Sequence, residues 1–249
     1  MTYNLKREVE KPERFAGGHR LCAGCGAGIA VRGVLRALDE GDKAVVTNAT
    51  SCLEVSTFIY PHTAYYDSYI HTAFANGAAT MSGVEAAYKT LKKRGKVKDN
   101  FKFIAFGGDG GTYDIGIQSL SGAMERGHDM VYVCYDNEGY MNTGYQRSST
   151  TTEGSRTSTT PLGSAISGKQ QAQKYVPLIL AMHGVEYCAT TTPWNMRDMV
   201  EKIEKGLAAS KRGFAYLHVF TPCPTGWSFP PDQTIEVTKL AVKSNMFPL

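Results

Sequence analysis

The sequence predicts an α/β fold in which a doubly wound, mainly parallel sheet carries helices on both faces. Short apolar runs that read as buried strands alternate with longer stretches of helical period along most of the chain. With 249 residues, of which 42% are hydrophobic and 20% charged, the chain is long enough to bury one large core. We therefore predict a single domain spanning residues 1–249.

Charge and composition exclude several classes of protein. The formal net charge is only +4 and the basic residues are dispersed, which argues against nucleic acid or a membrane surface as a partner. The polar start lacks the apolar centre of a secretory signal, and no apolar run is long enough to span a bilayer, so we expect a cytoplasmic protein. Six cysteines in a chain of this length do not indicate a disulfide scaffold.

The first elements place two cysteine-bearing loops. Residues 1–20 are polar and are predicted to form an extended arm that lies on a partner. A tight glycine-containing loop with Cys22 and Cys25 opens a helix over residues 29–38. The following strand, residues 44–48, ends shortly before Cys52 and so places this cysteine near its carboxyl end.

The next stretch is predicted to be a functional loop followed by a helix. Residues 60–69 are rich in aromatic and turn residues and show no clear period. We expect His71 and Phe74 to begin a helix that continues to residue 93, with Phe74 as a candidate for the substrate pocket.

Residues 103–144 are predicted to bind a metal-bridged diphosphate. An apolar strand runs into Gly107-Gly108-Asp109-Gly110-Gly111, whose nearly side-chain-free backbone lets its N–H groups approach phosphate oxygens. Asp109 beside a phosphate would repel it unless it holds Mg²⁺, which binds protein and phosphate oxygens together. After one β-α-β return, Asn137 follows the neighbouring strand and could complete the metal shell with a loop carbonyl. For the first half alone, the alternative is a glycine-rich turn with an ordinary surface aspartate.

A hydroxyl-rich loop, residues 146–167, continues this segment. By composition alone it would be disordered or a linker. Because it directly follows the predicted metal-binding segment, we prefer an active-site or interface loop. The α/β alternation then resumes, with helices predicted at residues 175–182, 193–210 and 234–242 and strands at residues 187–190 and 215–220.

Four of the six cysteines lie on loops bounded by glycine or proline: Cys22, Cys25, Cys52 and Cys223. Cys134 and Cys188 lie inside apolar strands and are predicted to be core residues. A Cys-x-x-Cys loop with two further cysteines suits a four-thiolate iron–sulfur cluster or a structural zinc ion, and spacing alone does not separate the two.

These motifs resemble a known family. Gly108-Asp109-Gly110 followed by Asn137 is similar to the thiamine diphosphate fingerprint. Residues 107–112 and 135–149 resemble the β subunit of 2-oxoacid:ferredoxin oxidoreductases, the pyruvate synthase family, and matching stretches cover nearly the whole chain. The resemblance implies thiamine diphosphate, with Mg²⁺ held by Asp109, Asn137 and the carbonyl of Gly139. It implies cofactor contacts from Cys52, Gly108, Asp109, Gly110, Gly111, Asn137, Gly139, Tyr140, Met141 and Asn142.

The resemblance also assigns the cysteines and two catalytic candidates. The segments around the four loop cysteines are similar to the loops that carry the family's proximal [4Fe–4S] cluster, which implies Cys22, Cys25, Cys52 and Cys223 as its ligands. Asn142 is the predicted polar group near the reacting carbon, with a turn cap as the alternative. Phe74 is the second candidate.

The activity implied is oxidative decarboxylation of pyruvate or a related 2-oxo acid, with coenzyme A and electron transfer to ferredoxin, or the reverse carboxylation. The glutamate that thiamine enzymes place against the aminopyrimidine is not recognised in this chain, so an α subunit and γ/δ subunits of the same complex are the expected partners. Two alternatives are a subunit of a non-oxidative 2-oxo acid decarboxylase with structural zinc, and an electron-transfer or assembly module that has lost catalysis. Family members usually continue past the position of Leu249.

Overall fold

The computed structural model describes residues 3–59, 61–165 and 167–249. Small parts of three predicted segments therefore lie outside the described residues. These are Met1 and Thr2 of the arm, Tyr60 of the predicted loop, and Ile166 of the hydroxyl-rich loop.

One parallel sheet organises the described chain. The strands are β1 (Lys43–Ala49), β2 (Phe58–Ile59), β3 (His62–Thr63), β4 (Ser68–Thr72), β5 (Phe101–Gly108), β6 (Met130–Asp136), β7 (Tyr187–Thr191) and β8 (Phe214–Phe220). Six of them form a sheet in the order β4-β1-β5-β6-β8-β7, and every neighbouring pair is parallel. Strands β2 and β3 form a separate antiparallel hairpin.

Helices cover both faces of the sheet, as the sequence predicts. They are α1 (Leu5–Glu10), α2 (Gly26–Arg36), α3 (Cys52–Thr57), α4 (Gly77–Lys93), α5 (Ile117–Glu125), α6 (Val176–Ala181), α7 (Met196–Ala209), α8 (Pro224–Trp227) and α9 (Thr234–Lys243). A π-helical turn, Gly111–Ile115, precedes α5, and a 3₁₀ turn, Pro231–Gln233, precedes α9. None of the helices in the described ranges is long and apolar enough to cross a bilayer.

Two apolar cores result from the alternation of side chains along the central strands. Ile104 and Phe106 of β5 point into one core with α2 and α7, whereas Phe103 and Ala105 point into the other with α4, α5 and α6. Because a strand buried on both faces needs apolar residues at every position, β5 and β6 read as continuous apolar runs. The predicted doubly wound architecture is confirmed.

The prediction for residues 60–74 is partly wrong. Residues 62–63 belong to the hairpin and residues 68–72 form β4, which pairs with β1 at the edge of the sheet. His71 is thus a strand residue, and Phe74 lies in the turn before α4, which begins only at Gly77. An edge strand is half-exposed, so Ser68–Thr72 lacks the apolar run that marks the central strands.

The N-terminal segment packs on its own chain. The prediction of an extended arm is wrong for Leu5–Glu10, which form α1. Phe15 is 2% exposed and packs edge-on against Tyr65, and Arg14 forms an ion pair with Asp67 at 2.5 Å. A contact of this segment with a partner stays a prediction.

Candidate functional site

The carboxyl ends of β1, β5 and β6 meet in one cleft. In a doubly wound sheet this edge, where the strand order reverses, is where ligands bind. The cleft is lined by Thr50, Ser51, Cys52, Phe74, Gly108, Asp109, Gly110, Gly111, Tyr135, Asn137, Gly139, Tyr140, Met141, Asn142 and Thr143. The structure therefore brings together every residue that the sequence analysis assigned to cofactor contact, together with both catalytic candidates. Thr50, Ser51, Tyr135 and Thr143 are additional lining residues.

The glycine segment is shorter than the sequence indicates. Gly107 and Gly108 pair with Cys134 and Tyr135 as the last residues of β5, and the chain turns helical at Asp109. Gly110 lies directly under the ring of Tyr140, whose hydroxyl donates to the Gly110 carbonyl at 3.0 Å. A side chain at position 110 would collide with that ring. Residue 110 must therefore be glycine for the Tyr140 ring to pack against the backbone here.

Three oxygen atoms face one another at the ends of β5 and β6. The oxygen-bearing end of the Asn137 amide points to Gly139 O at 2.8 Å and to Asp109 Oδ1 at 3.2 Å, so three acceptors meet without a proton between them. Rotating the amide by half a turn would let its nitrogen donate to Gly139 O and Asp109 Oδ1. Alternatively, a cation between the three oxygens would stabilise the amide as it stands. Oxygens around Mg²⁺ at its usual bond length lie about 2.9 Å from their neighbours, so the two distances from the Asn137 amide suit neighbouring ligands of one ion.

Hydroxyl groups fix the orientation of the Asp109 carboxylate. Asp109 is 1% exposed, and its Oδ2 accepts from Ser148 Oγ at 2.5 Å and from Thr150 Oγ1 at 3.0 Å. Burial, followed by the nearby Asp136, raises the pKa of Asp109 well above its usual value, and the two hydroxyl groups oppose that rise. A carboxylate in this position gains from a cation, because a cation offsets both causes.

Asp136 is held by a second set of buried groups. Its Oδ2 lies 2.8 Å from His218 Nε2, and its Oδ1 lies 2.9 Å from the Thr150 hydroxyl oxygen, whose single proton is donated to Asp109. Tyr113 Oη in turn lies 2.9 Å from His218 Nδ1. The two buried aspartates of the cleft are thus joined through one threonine.

Three of the loop cysteines mark the beginnings of helices. Cys25 is the N-cap of α2, Cys52 is the first residue of α3 and Cys223 is the N-cap of α8. The Gly226 N–H donates to Cys223 Sγ at 3.2 Å. Cys22 is exposed, and the other three are partly buried.

The same three thiols hold their protons. Burial first, and then the other loop cysteines, raise the pKa of Cys52 to about 12. The pKa values of Cys25 and Cys223 are raised by the same two causes. Each of these thiols is therefore within electrostatic range of at least one other loop cysteine, and we refer to the four as the cysteine group.

This group does not form a site for a single ion. Within residues 3–59, 61–165 and 167–249, no three His, Cys, Asp or Glu side chains are arranged to hold one metal ion. Four-coordinate zinc needs its ligands about 2.3 Å from one point. Cys134 is buried in the core as predicted, and the partly buried Cys188 donates to the Pro177 carbonyl at 3.3 Å.

Two hydrogen bonds fix the cysteine loops relative to the cleft. Tyr135 Oη, at the end of β6, accepts from the backbone N–H of Leu53, the residue after Cys52. Trp227 Nε1, at the end of α8, donates to the carbonyl of Asn137 at 3.0 Å. Cys52 itself lines the cleft. Through Cys52, the cysteine group therefore adjoins the cleft that contains Asp109, Asn137 and Gly139.

Sequence reasoning missed Ser148 and Thr150 as individual contributors. Its only signal was the density of hydroxyl residues directly after the predicted metal-binding segment. The preferred interpretation of that segment as part of the site agrees with its contacts to Asp109, whereas a disordered linker would not place Ser148 and Thr150 in the interior.

Comparisons with known proteins agree with this geometry. The family model "Thiamine pyrophosphate enzyme, C-terminal TPP binding domain" matches residues 48–219. The pyruvate synthase subunit PorB of Methanocaldococcus jannaschii is 52% identical over 244 residues, 97% of this chain and 80% of that protein. PorB of Thermotoga maritima is 53% identical over 256 residues, 100% of this chain and 78% of that protein.

Two further similarities extend the comparison. The ketoisovalerate oxidoreductase subunit VorB of Pyrococcus furiosus is 41% identical over 248 residues, 99% of this chain and 78% of that protein. A structure of 2-oxoglutarate:ferredoxin oxidoreductase from Magnetococcus marinus, with 2-oxoglutarate, coenzyme A and succinyl-CoA bound, superposes with a TM-score of 0.73 at 24% identity. It covers 96% of this chain and 74% of that one, and it supports the fold.

The fold and the cleft define a thiamine diphosphate-binding α/β protein. The chain belongs to the β subunits of the 2-oxoacid:ferredoxin oxidoreductases, the family that includes the pyruvate synthase subunit PorB, and it is thus a component of an oxidoreductase complex.

Proposed function

We propose that the cleft binds Mg²⁺-thiamine diphosphate, with the metal held by Asp109, Asn137 and the carbonyl of Gly139. The observation that carries this proposal is that one end of the Asn137 amide lies 2.8 Å from the Gly139 carbonyl oxygen and 3.2 Å from Asp109 Oδ1, at the ends of β5 and β6. The helical turn that starts at Asp109 directs its first N–H groups to the same place, which suits a diphosphate. Gly108, Gly110, Gly111, Tyr140 and Met141 then contact the cofactor from the walls of the cleft.

We further propose that Cys22, Cys25, Cys52 and Cys223 hold one [4Fe–4S] cluster. Four thiolates are the usual ligands of such a cluster, which spreads them around a cube of atoms instead of a point. The Gly226 N–H that donates to Cys223 Sγ favours the negative charge of a thiolate-ligated cluster. A zinc ion in its place is less well supported, because the described thiols do not converge on one position.

The reaction proposed is oxidative decarboxylation of a 2-oxo acid with coenzyme A and ferredoxin, or its reverse. Pyruvate is the proposed 2-oxo acid because the relatives with the higher identities cited above are pyruvate synthase subunits. Bound thiamine diphosphate supplies the electron sink for loss of CO₂. This chain's residues bind and orient the cofactor, with Asn142 as a polar group and Phe74 as an apolar wall of the same cleft. We also propose that the chain works in a complex with partner subunits and that this complex is cytoplasmic.

An Asp109→Asn variant tests the metal site in the assembled complex. Asparagine keeps the shape of the side chain but removes its charge, so we expect Mg²⁺-dependent binding of thiamine diphosphate, measured by calorimetry, to fall at least about 100-fold. The matched control is Asp129→Asn, which removes a carboxylate paired with Lys89 away from the cleft. Cofactor binding by Asp109→Asn at the affinity of the control, with the same Mg²⁺ dependence, would show that the metal lies elsewhere.

A further inference from the structure

A lysine is buried in the hydroxyl-rich loop beside the proposed metal site. Lys169 is 1% exposed, which is unusual for an ammonium group because burial of a charge costs free energy unless hydrogen bonds replace water. Its Nζ donates to the carbonyl oxygens of Ser149, at 3.4 Å, and of Thr151. The ammonium therefore binds the backbone on both sides of Thr150.

The backbone around Lys169 is fixed as well. Its N–H donates to the Ser155 carbonyl at 3.0 Å, and its own carbonyl accepts from the Gly154 N–H at 2.8 Å. Gly168 has φ +72°, and a side chain there would collide with the Gly154 carbonyl. These contacts anchor the backbone of Lys169, and the two carbonyl oxygens of Ser149 and Thr151 hold its ammonium group.

The segment that Lys169 holds carries the two hydroxyl groups on Asp109. Ser148 and Thr150 both donate to Oδ2 of the carboxylate, at 2.5 and 3.0 Å. With Oδ2 occupied, Oδ1 is the atom left to face the Asn137 amide, at 3.2 Å. A rotation of the carboxylate would break both hydroxyl contacts, so the two hydroxyls fix the direction of the metal-facing oxygen.

We propose that Lys169 is a positioning residue for the Mg²⁺-diphosphate site, acting through Ser148 and Thr150 on the orientation of Asp109. This inference rests on the proposed function, because it assigns the lysine to the same metal. It identifies a determinant of metal affinity that lies 60 residues beyond Asp109 in the sequence and touches neither the metal ligands nor the cleft.

The test is the Mg²⁺ concentration that gives half-maximal binding of thiamine diphosphate to the complex, measured by calorimetry. Residues that orient a metal ligand change metal affinity about 10–100-fold when they are removed. We expect Lys169→Met to raise the half-saturating concentration about tenfold, with kcat at saturating Mg²⁺ close to that of the native complex. The control is Lys202→Met. Lys202 lies on α7 and donates to the Thr190 carbonyl at 2.9 Å, and its loss should leave the Mg²⁺ requirement unchanged.

A double variant separates positioning from general stability. If Lys169 acts through Thr150, then Lys169→Met and Thr150→Val should not add, and the double variant should need about as much Mg²⁺ as the worse single variant. Additive effects, or a native Mg²⁺ requirement in Lys169→Met, would overturn the proposal.

Further variants cover a Lys169→Met chain that does not fold, and they distinguish failure of this inference from failure of the proposed function. Should Lys169→Met fail to fold, Ser148→Ala and Thr150→Val decide the matter: each is expected to raise the Mg²⁺ requirement severalfold, and a native requirement in both refutes the positioning route. Mg²⁺-dependent binding that survives in Asp109→Asn contradicts the proposed function itself. A loss in Asp109→Asn together with native values in the Lys169, Ser148 and Thr150 variants contradicts only this inference.

Discussion

Gly110 shows how a single residue shapes the cleft. The Tyr140 ring lies against the backbone of Gly110, and its hydroxyl oxygen lies 3.0 Å from the Gly110 carbonyl and 3.2 Å from Asp114 Oδ2. The ring packs where a Cβ atom would be. The glycine is therefore needed for close approach of a side chain, and its positive-φ freedom plays no part, because its φ is −61°.

Substitution of Gly110 by alanine tests this packing. The added methyl group forces Tyr140 out of its position, so we expect Gly110→Ala to weaken binding of thiamine diphosphate about tenfold or more, measured by calorimetry at saturating Mg²⁺. Gly83→Ala is the control, because nothing lies within 4 Å of a Cβ added at this position of α4. The control should leave cofactor binding unchanged and stabilise the fold by about 0.5–1 kcal/mol. Equal cofactor affinities in the two variants would contradict the account of Gly110.

Cys223 and Cys188 form a matched pair for the proposed cluster. Both are partly buried, but only Cys223 belongs to the group of loop cysteines. We expect Cys223→Ser to lose about four iron atoms per chain relative to the native complex, and Cys188→Ser to lose none, by iron and sulfide analysis under anaerobic conditions. Unchanged iron in Cys223→Ser, or zinc in the native protein that disappears in this variant, would contradict the cluster.

At the scale of elements, helix α4 is tied to the turn before β6 by a buried carboxylate. Glu85 is 1% exposed; its Oε1 binds Lys89 at 2.5 Å and the Asp129 N–H at 3.2 Å, and its Oε2 lies 2.8 Å from His128 Nδ1. Burial alone would raise the pKa of Glu85, but the hydrogen bonds from Lys89 and His128 outweigh it and the pKa is lowered.

The lowered pKa of Glu85 fixes the sign of a pH effect. Its stabilisation is present above the unfolded-state pKa, near 4.5, and is lost as the pH falls through the lower folded-state value. We expect Glu85→Gln to reduce the free energy of unfolding by about 1–2 kcal/mol at pH 7, and the difference to shrink below about pH 4. Denaturant titrations at both pH values measure it.

The control for Glu85 is an exposed pair. Glu236 binds Lys239 at 2.9 Å on the surface of α9, so Glu236→Gln should change the stability by less than about 0.5 kcal/mol. A Glu85→Gln variant as stable as this control at pH 7 would show that the buried carboxylate does not join α4 to β6.

Elements differ in how far the sequence predicts them. Strands β1, β5, β6 and β8 are recognisable because burial on both faces requires a continuous apolar run. Strand β4 is not, since an edge strand with one exposed side alternates polar and apolar residues over only five positions. Helix α1 and the burial of Phe15 are also invisible, because a lone aromatic residue in a polar segment carries no period.

At the scale of the whole molecule, the site is where several strands end. Residues that are far apart in the sequence, such as Cys52, Asp109, Asn137 and Cys223, meet because parallel strands carry them to one edge. That convergence could be predicted from the strand alternation. The orientation of Asp109 by Ser148 and Thr150 could not, because an irregular loop has no repeat from which its hydrogen bonds follow.

Cys52 links the two halves of the proposed function. It lines the cleft with Asp109, and its pKa responds to the charges of Cys223, Cys25, Cys22 and Asp109. One residue thus belongs to the wall of the cofactor cleft and to the cysteine group. Electrons released from a 2-oxo acid at the cofactor would therefore have an acceptor next to them.

In the proposed function, Asp109 would hold the metal of thiamine diphosphate, and this chain's cysteines would hold the cluster that accepts electrons from a 2-oxo acid. The most direct measurement is the visible absorbance of the oxidised complex under anaerobic conditions after addition of pyruvate and coenzyme A, without any other electron acceptor. We expect pyruvate and coenzyme A to bleach the native complex and to leave the absorbance of the Asp109→Asn complex unchanged. Dithionite should still bleach the variant. Pyruvate-driven bleaching that persists in Asp109→Asn, or a native complex that only dithionite bleaches, would contradict the claim.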